Sequence, residues 1–137
     1  MKILVDTSIW SLALRRSEGG RNPEVAELQE LISDGRVQLI GPLRQEILSG
    51  IKTKNQFETL KLYLEAFPDL PLVSGDYELA AEYYNTARQR GVQGSNTDFL
   101  ICAISTRHSM PIFTADKDFE HFIEHIPITL YSPKSNQ

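Results

Sequence analysis

One cysteine, Cys102, stands in a chain of 137 residues. It excludes an internal disulfide and fits a reducing, cytoplasmic compartment. Long apolar runs are missing too. None approaches the ~20 residues a membrane span needs, and the N-terminus lacks a signal-peptide layout. Positive charge is short as well: 14 Lys and Arg stand against 18 Asp and Glu, for a formal net charge of -4. That excludes a protein that grips nucleic acid by bulk positive charge. A polyanionic substrate has to be held by local arginines, by metal ions, or with help from a partner. No repeat and no break in composition divides the chain, so residues 1–137 are expected to form one domain with a real core.

What is present is an alternation of short apolar runs and amphipathic stretches. Lys2-Ile3-Leu4-Val5 is near-continuously apolar, as in a strand buried on both faces of a parallel sheet. Asp6 follows at its carboxyl end, where open α/β sheets place their ligands. Thr7 or Ser8 is positioned to cap the helix carrying Ile9, Trp10, Leu12, Ala13 and Leu14. Ser17 to Arg21 reads as a loop, and Asn22-Pro23 starts a helix that Asp34-Gly35 ends. Val37 to Ile40 reads as the second strand, followed by a short helix from Gly41-Pro42 to Gly50 that bears Glu46. Lys52 to Asn55 is a polar link, and Phe57, Leu60, Leu64 and Phe67 mark a helix ended by Pro68.

Leu70 to Val73 is extended, with Pro71 favouring an edge position. A long helix runs from Ser74 to Gly91 with Tyr77, Ala80, Ala81, Tyr84 and Ala87 inward. Ser95 to Asp98 opens a helix apolar nearly all round, hence central, with Asp98 in its first turn. Pro111 to Thr114 and Ile128 to Tyr131 read as the last strands, around a short helix at Phe119, Phe122 and Ile123. Strands alternating with helices predict an α/β three-layer sandwich, its mostly parallel central sheet flanked by helices.

Four places repeat one arrangement, an acid just past a buried strand or in a helix's first turn: Asp6, Glu46, Asp98 and the pair Asp116/Asp118. Each alone has a plain explanation, because Asp suits N-caps and helix N-termini. All at one sheet edge is another matter, since packed carboxylates need a compensating cation to stay ionised. Oxygen ligands without His or Cys favour Mg²⁺ or Mn²⁺ over zinc. Such acid clefts suit metal-assisted attack on phosphodiesters.

At these residues the chain resembles PIN domains, and more narrowly the VapC toxins of bacterial toxin–antitoxin pairs. The resemblance rests on Leu4-Val5-Asp6-Thr7-Ser8-Ile9-Trp10, on Glu46 in a short helix after a strand, on Asp98 to Ala103, and on Thr114-Ala115-Asp116-Lys117-Asp118-Phe119. It implies a Mg²⁺- or Mn²⁺-dependent endoribonuclease acting on structured RNA and silenced by a VapB-type antitoxin. By position, Asp6, Glu46, Asp98 and Asp116 match the four acids, catalytic and metal-binding. Asp118 falls where some members carry an additional acid, leaving open which of Asp116 and Asp118 faces the metal. Thr7 or Ser8 matches the small polar residue supporting the first acid, and Thr114 the threonine before the fourth.

Arg15, Arg16, Arg44, Lys52 and Lys54 follow the first two acid-bearing elements and are candidate contacts to RNA phosphates. The helices Phe57–Phe67 and Tyr77–Ala87 offer more apolar surface than one small sheet must cover, which predicts a homodimer; PIN toxins are also commonly dimeric. Other readings are weighed against these residues. A haloacid-dehalogenase-like phosphatase needs a second acid two residues past Asp6, and Ser8 stands there. A receiver-like Mg-binding switch wants a lysine at a late strand end; Lys117 is near, but Glu46 and the Asp98 helix do not fit. In a degenerate PIN interaction module the acid positions would not all be filled. His121 and His125, spaced i, i+4 around Glu124, lack the H-E-x-x-H order of a zinc site and read as solvent-facing helix residues.

Overall fold

The computed structural model describes residues 1–14 and 22–133. In chain order the elements are β1 (Ile3–Val5), α1 (Thr7–Leu14), α2 (Pro23–Ser33), β2 (Val37–Gln38), α3 (Gly41–Leu48), α4 (Lys54–Leu64), α5 (Ser74–Gln89), α6 (Asn96–His108), β3 (Ile112–Phe113) and α7 (Asp118–Phe122). β1 is the middle strand, parallel to β2 on one side and to β3 on the other. All three of its residues are fully buried, because parallel strands need helical crossovers and the crossovers cover both faces. This is the expected α/β sandwich.

Local chemistry sets the helix starts. Asn22 accepts the amides of Glu24 and Val25 ahead of Pro23, Thr53 accepts from Gln56, and Ser95 accepts from Asp98. Each cap satisfies an amide that no helical carbonyl can reach. Gly35 and Gly91 end α2 and α5 at φ of +69° and +76°, a backbone region where a Cβ is strained. α6 runs through the core, buried continuously from Phe99 to Ser105. α5 lies antiparallel along it. Asp76 at the start of α5 meets Arg107 at the end of α6, while Tyr84 further along packs edge-on against Phe99 near the start of α6, ring centres 5.6 Å apart.

Several elements differ from expectation. The last strand reduces to a single parallel bridge, Ile112 with Leu130, and pairing near Leu70–Val73 falls one residue earlier, Leu39 with Asp69. Pro71 has no amide to donate there, so no ladder extends. Ile40 leaves β2 to cap α3 from its backbone. α4 begins at Lys54, inside the segment read as a link, because Thr53 caps it, and it ends at Leu64 rather than beside Pro68. α7 stops at Phe122, so His125 lies past the helix and shares no helical face with His121. The loop Ser17–Arg21, with Arg15 and Arg16, lies outside the described residues, as does the end of the tail from residue 134.

Candidate active site

β1 delivers Asp6 to the carboxyl edge of the sheet. Its amide donates to Phe113 O at 2.9 Å, continuing the ladder, and the residue is only 5% exposed. Donors crowd onto one of its two oxygens. Ser8 Oγ donates to Asp6 Oδ2 at 2.7 Å and Thr114 Oγ1 donates to the same atom at 2.9 Å. Both hydroxyls also accept amides of the loop after β3, Ser8 from Ala115 at 2.9 Å and Thr114 from Asp116 at 3.0 Å. With both hydroxyl hydrogens spent on Asp6, the 3.2 Å approach of Ser8 Oγ to Thr114 Oγ1 is contact rather than a further bond. Two small hydroxyls thus tie the ends of β1 and β3 together.

Neither Thr7 nor Ser8 caps α1. Asp6 stands in that place, its Oδ2 accepting the Ser8 amide at a long 3.4 Å, and Thr7 turns instead to α3. Thr7 Oγ1 donates to Glu46 Oε1 at 2.7 Å.

The other acids follow one pattern. Asp98 closes a capping box, accepting the Ser95 amide on Oδ2 at 3.1 Å, and Asp116 accepts the Asp118 amide on Oδ1 at 2.9 Å as α7 begins. Asp6, Glu46, Asp98 and Asp116 are each anchored by one carboxylate oxygen, and the second accepts no hydrogen bond among the described residues. Capping and ligand binding therefore do not compete.

Electrostatics show which acids share one space. Burial pushes the Asp98 carboxyl above its ordinary value, the Ser95 bonds oppose that, and the charges of Asp6 and Asp116 push it further up. The Cys102 thiol is pushed up by burial and by the charges of Asp98 and Asp6, which leaves it an inert core thiol. Glu46 and Asp118 are exposed, whereas Asp98 and Asp116 are half-buried. Among the described residues, no three His, Cys, Asp or Glu side chains already stand close enough to hold an ion. The donor chemistry nonetheless fits a hard divalent cation: oxygen donors alone, with mutual repulsion that only a positive charge relieves.

A family model described as the PIN domain matches residues 3–124. The chain belongs to the PIN-domain family. It is 34% identical over 122 residues to the VapC ribonuclease Mb1587 of Mycobacterium bovis and to ribonuclease VapC11 of Mycobacterium tuberculosis, covering 86% of this chain and 89% of each relative. Among solved structures it is similar to FitAcB from Neisseria gonorrhoeae, with a TM-score of 0.75 at 23% identity over 96% of this chain and 97% of that one. It is also similar to VapBC2 from Rickettsia felis bound to a DNA fragment from their promoter, with a TM-score of 0.76 at 18% identity over 96% and 98%. At those identities the structures establish the shared fold.

In this PIN domain one candidate RNA contact has another task. Arg44 donates through Nε and Nη2 to Asp69, through Nη1 to Leu64 O at 3.0 Å, and through Nη2 to Phe67 O. Its guanidinium is spent clipping α3 to the turn after α4, a role its position among neighbouring basic residues could not reveal. Lys52 and Lys54 are exposed. Sequence reasoning also missed the Thr7–Glu46 bond. The signal was available in a hydroxyl beside Asp6, but its partner lies 39 residues away.

Proposed function

We propose that this PIN domain, residues 1–137, is the endoribonuclease toxin of a VapBC-type toxin–antitoxin pair. It hydrolyses phosphodiester bonds of structured RNA with Mg²⁺ or Mn²⁺ and is silenced by a VapB-type antitoxin. It acts in the cytoplasm as a homodimer; no helix among the described residues is long and apolar enough to cross a membrane. The relatives named as ribonucleases support the activity. The observation that carries the site is the set of four carboxylates, each pinned by one oxygen with the other left free.

In this reading Asp6, Glu46, Asp98 and Asp116 hold the cation, and Asp116 rather than Asp118 is the fourth ligand. The half-buried placement of Asp116 and its repulsion of Asp98 favour it, while Asp118 spends its amide on Asp116 and faces solvent. A bound divalent ion supplies an activated water at neutral pH and neutralises charge on the phosphodiester. The protein's own share is positional. Ser8 and Thr114 hold Asp6 and the Asp116 loop in register, and Thr7 holds Glu46 towards the same sheet edge. Lys52 and Lys54, with Arg15 and Arg16, are the remaining candidates for phosphate contacts.

The test is a set of single substitutions. Asp6→Asn, Asp98→Asn and Asp116→Asn should each abolish RNA cleavage and the rise in melting temperature that Mn²⁺ gives the parent protein, whereas Asp118→Asn should retain both. Variants that still cut RNA, in a protein indifferent to Mn²⁺, would reduce the acids to helix caps.

A further inference from the structure

Gly94 lies in the loop between α5 and α6, shortly before Asp98. A Cβ placed on it would stand 2.7 Å from Phe122 Cζ and 2.9 Å from Phe99 Cε2, well inside the roughly 3.5–4.0 Å at which carbons pack. The rings have no room to give way. Both are fully buried, their centres are 4.9 Å apart, Phe119 packs on Phe122 at 5.1 Å, and Tyr84 meets Phe99 at 5.6 Å. The loop does have room, because Gln93 and Ser95 on either side of Gly94 are exposed. A side chain at residue 94 would therefore move the loop and not the rings.

The two sides of this contact lead to two different acids. The peptide after Gly94 carries the Ser95 amide, which holds Asp98 Oδ2 at 3.1 Å. Phe122 belongs to α7, whose start holds Asp116: the Asp118 amide donates to Asp116 Oδ1 at 2.9 Å, and the Phe119 amide to Asp116 O at 3.2 Å. How deeply Gly94 sits on Phe122 thus fixes how far the anchor of Asp98 stands from the anchor of Asp116. The charge of Asp116 bears on Asp98, so the two carboxylates share one space. We propose that Gly94 is a positioning residue of the metal site: seated on Phe99 and Phe122, it sets the gap between Asp98 and Asp116 to suit Mg²⁺ over the larger Ca²⁺. The inference rests on the metal-dependent reading of these acids. Mg²⁺ demands near-ideal geometry with oxygens at about 2.0–2.1 Å, whereas Ca²⁺ accepts about 2.3–2.6 Å and irregular shells. Lifting the loop off the rings carries the Asp98 anchor away from α7, and the widened site loses Mg²⁺ first.

The test reads binding and not cleavage. Mg²⁺ and Ca²⁺ are each titrated calorimetrically into the parent chain, Gly94→Ala, Phe122→Leu, the double variant, and Leu64→Ala, a core change in α4 outside the acid-bearing elements. Gly94→Ala should lower Mg²⁺ affinity about tenfold while Ca²⁺ affinity nearly holds. Phe122→Leu takes the seat from under the glycine and should lower the Mg²⁺-to-Ca²⁺ affinity ratio as well. In the double variant the added methyl meets the shorter side chain, and the parent ratio should return, a coupling that two independent losses would not show. Leu64→Ala should lose melting temperature yet keep the ratio, which separates positioning from stability. If Gly94→Ala does not fold, Phe122→Leu and the double variant decide the matter. A parent-like ratio in the single variants, a double variant that regains nothing, or an equal shift in Leu64→Ala overturns this proposal and leaves the metal reading standing. If the parent binds neither ion, both fall.

Discussion

Ser8 is one hydroxyl with three structural consequences. It donates to Asp6 Oδ2, receives the Ala115 amide, and packs against Thr114. Substituting Ser8→Ala removes a charge-assisted donor from a nearly buried carboxylate and strands an amide of the loop that leads to Asp116. Losing such a donor costs about 1–3 kcal/mol. Urea unfolding should show a loss of that size for Ser8→Ala, and metal affinity should fall with it as Asp6 and the Asp116 loop come loose from each other. Thr7→Val frees only the exposed Glu46, so its stability should be nearly unchanged and only metal affinity should drop. Equal stability losses in both would mean that the hydroxyls make no distinct contributions. Asp98 is the counter-case. Its carboxyl sits above its ordinary value through burial and two neighbouring charges, so ionised Asp98 opposes folding, and the folded state gains as pH falls through its raised value.

At the level of elements, the pairing of α5 with α6 is secured at one end by an acid of opposite character. Asp76 is fully buried at the start of α5, accepting the Val73 amide at 2.9 Å and Arg107 Nε at 2.8 Å, with His108 Nε2 3.5 Å away. Burial pushes its carboxyl up, but the Val73 bond, Arg107 and His108 together outweigh that and hold it below the usual value of 3.8. A lowered carboxylate contributes stability that is present above its unfolded value and lost as pH falls through its folded one. The parent protein should therefore lose melting temperature below about pH 4. Asp76→Asn should start lower at pH 7, with Arg107 unpaired, and should lose less on acidification. A variant whose acid limb parallels the parent's would show that Asp76 carries none of that dependence.

Two helix starts were legible in this chain because capping is local: Asn22 and Ser95 each act on amides two or three residues away, whereas Thr53, which caps α4 in the same way, sits in a stretch that reads as a polar link. Asp6 and Asp98 were legible for the same reason, each following a buried run or opening one. Arg44 was not, since its acceptors lie 20 to 25 residues on and nothing local separates a clip from a phosphate contact. The strands at Leu70–Val73 and Ile128–Tyr131 were over-read. Extended apolar residues become a strand only where a neighbour offers a ladder, and here each region makes one bridge.

For the whole molecule, the charge pattern bears on how such an enzyme is kept silent. A net charge of -4 gives the surface little long-range pull on RNA, and the carboxylates at the sheet edge are charges that a basic partner would meet. The charges of Asp6 and Asp116 both bear on Asp98 there. The free oxygens that would take a divalent cation are equally suited to a guanidinium or an ammonium, whose charge-assisted bonds to carboxylates are strong. A VapB-type antitoxin that lays an Arg or Lys among these carboxylates would satisfy the same charges as the metal, so the two would exclude each other. Calorimetric titration of the isolated chain with Mn²⁺, and then of the toxin–antitoxin complex, should show metal affinity falling by at least about tenfold in the complex, which corresponds to about 1.4 kcal/mol of competition. Replacing the inserted basic residue of the antitoxin by Ala should restore metal binding while the complex survives on its remaining contacts. A complex that binds Mn²⁺ as well as the free chain does, yet cuts no RNA, would place inhibition at substrate access and remove charge competition from the account.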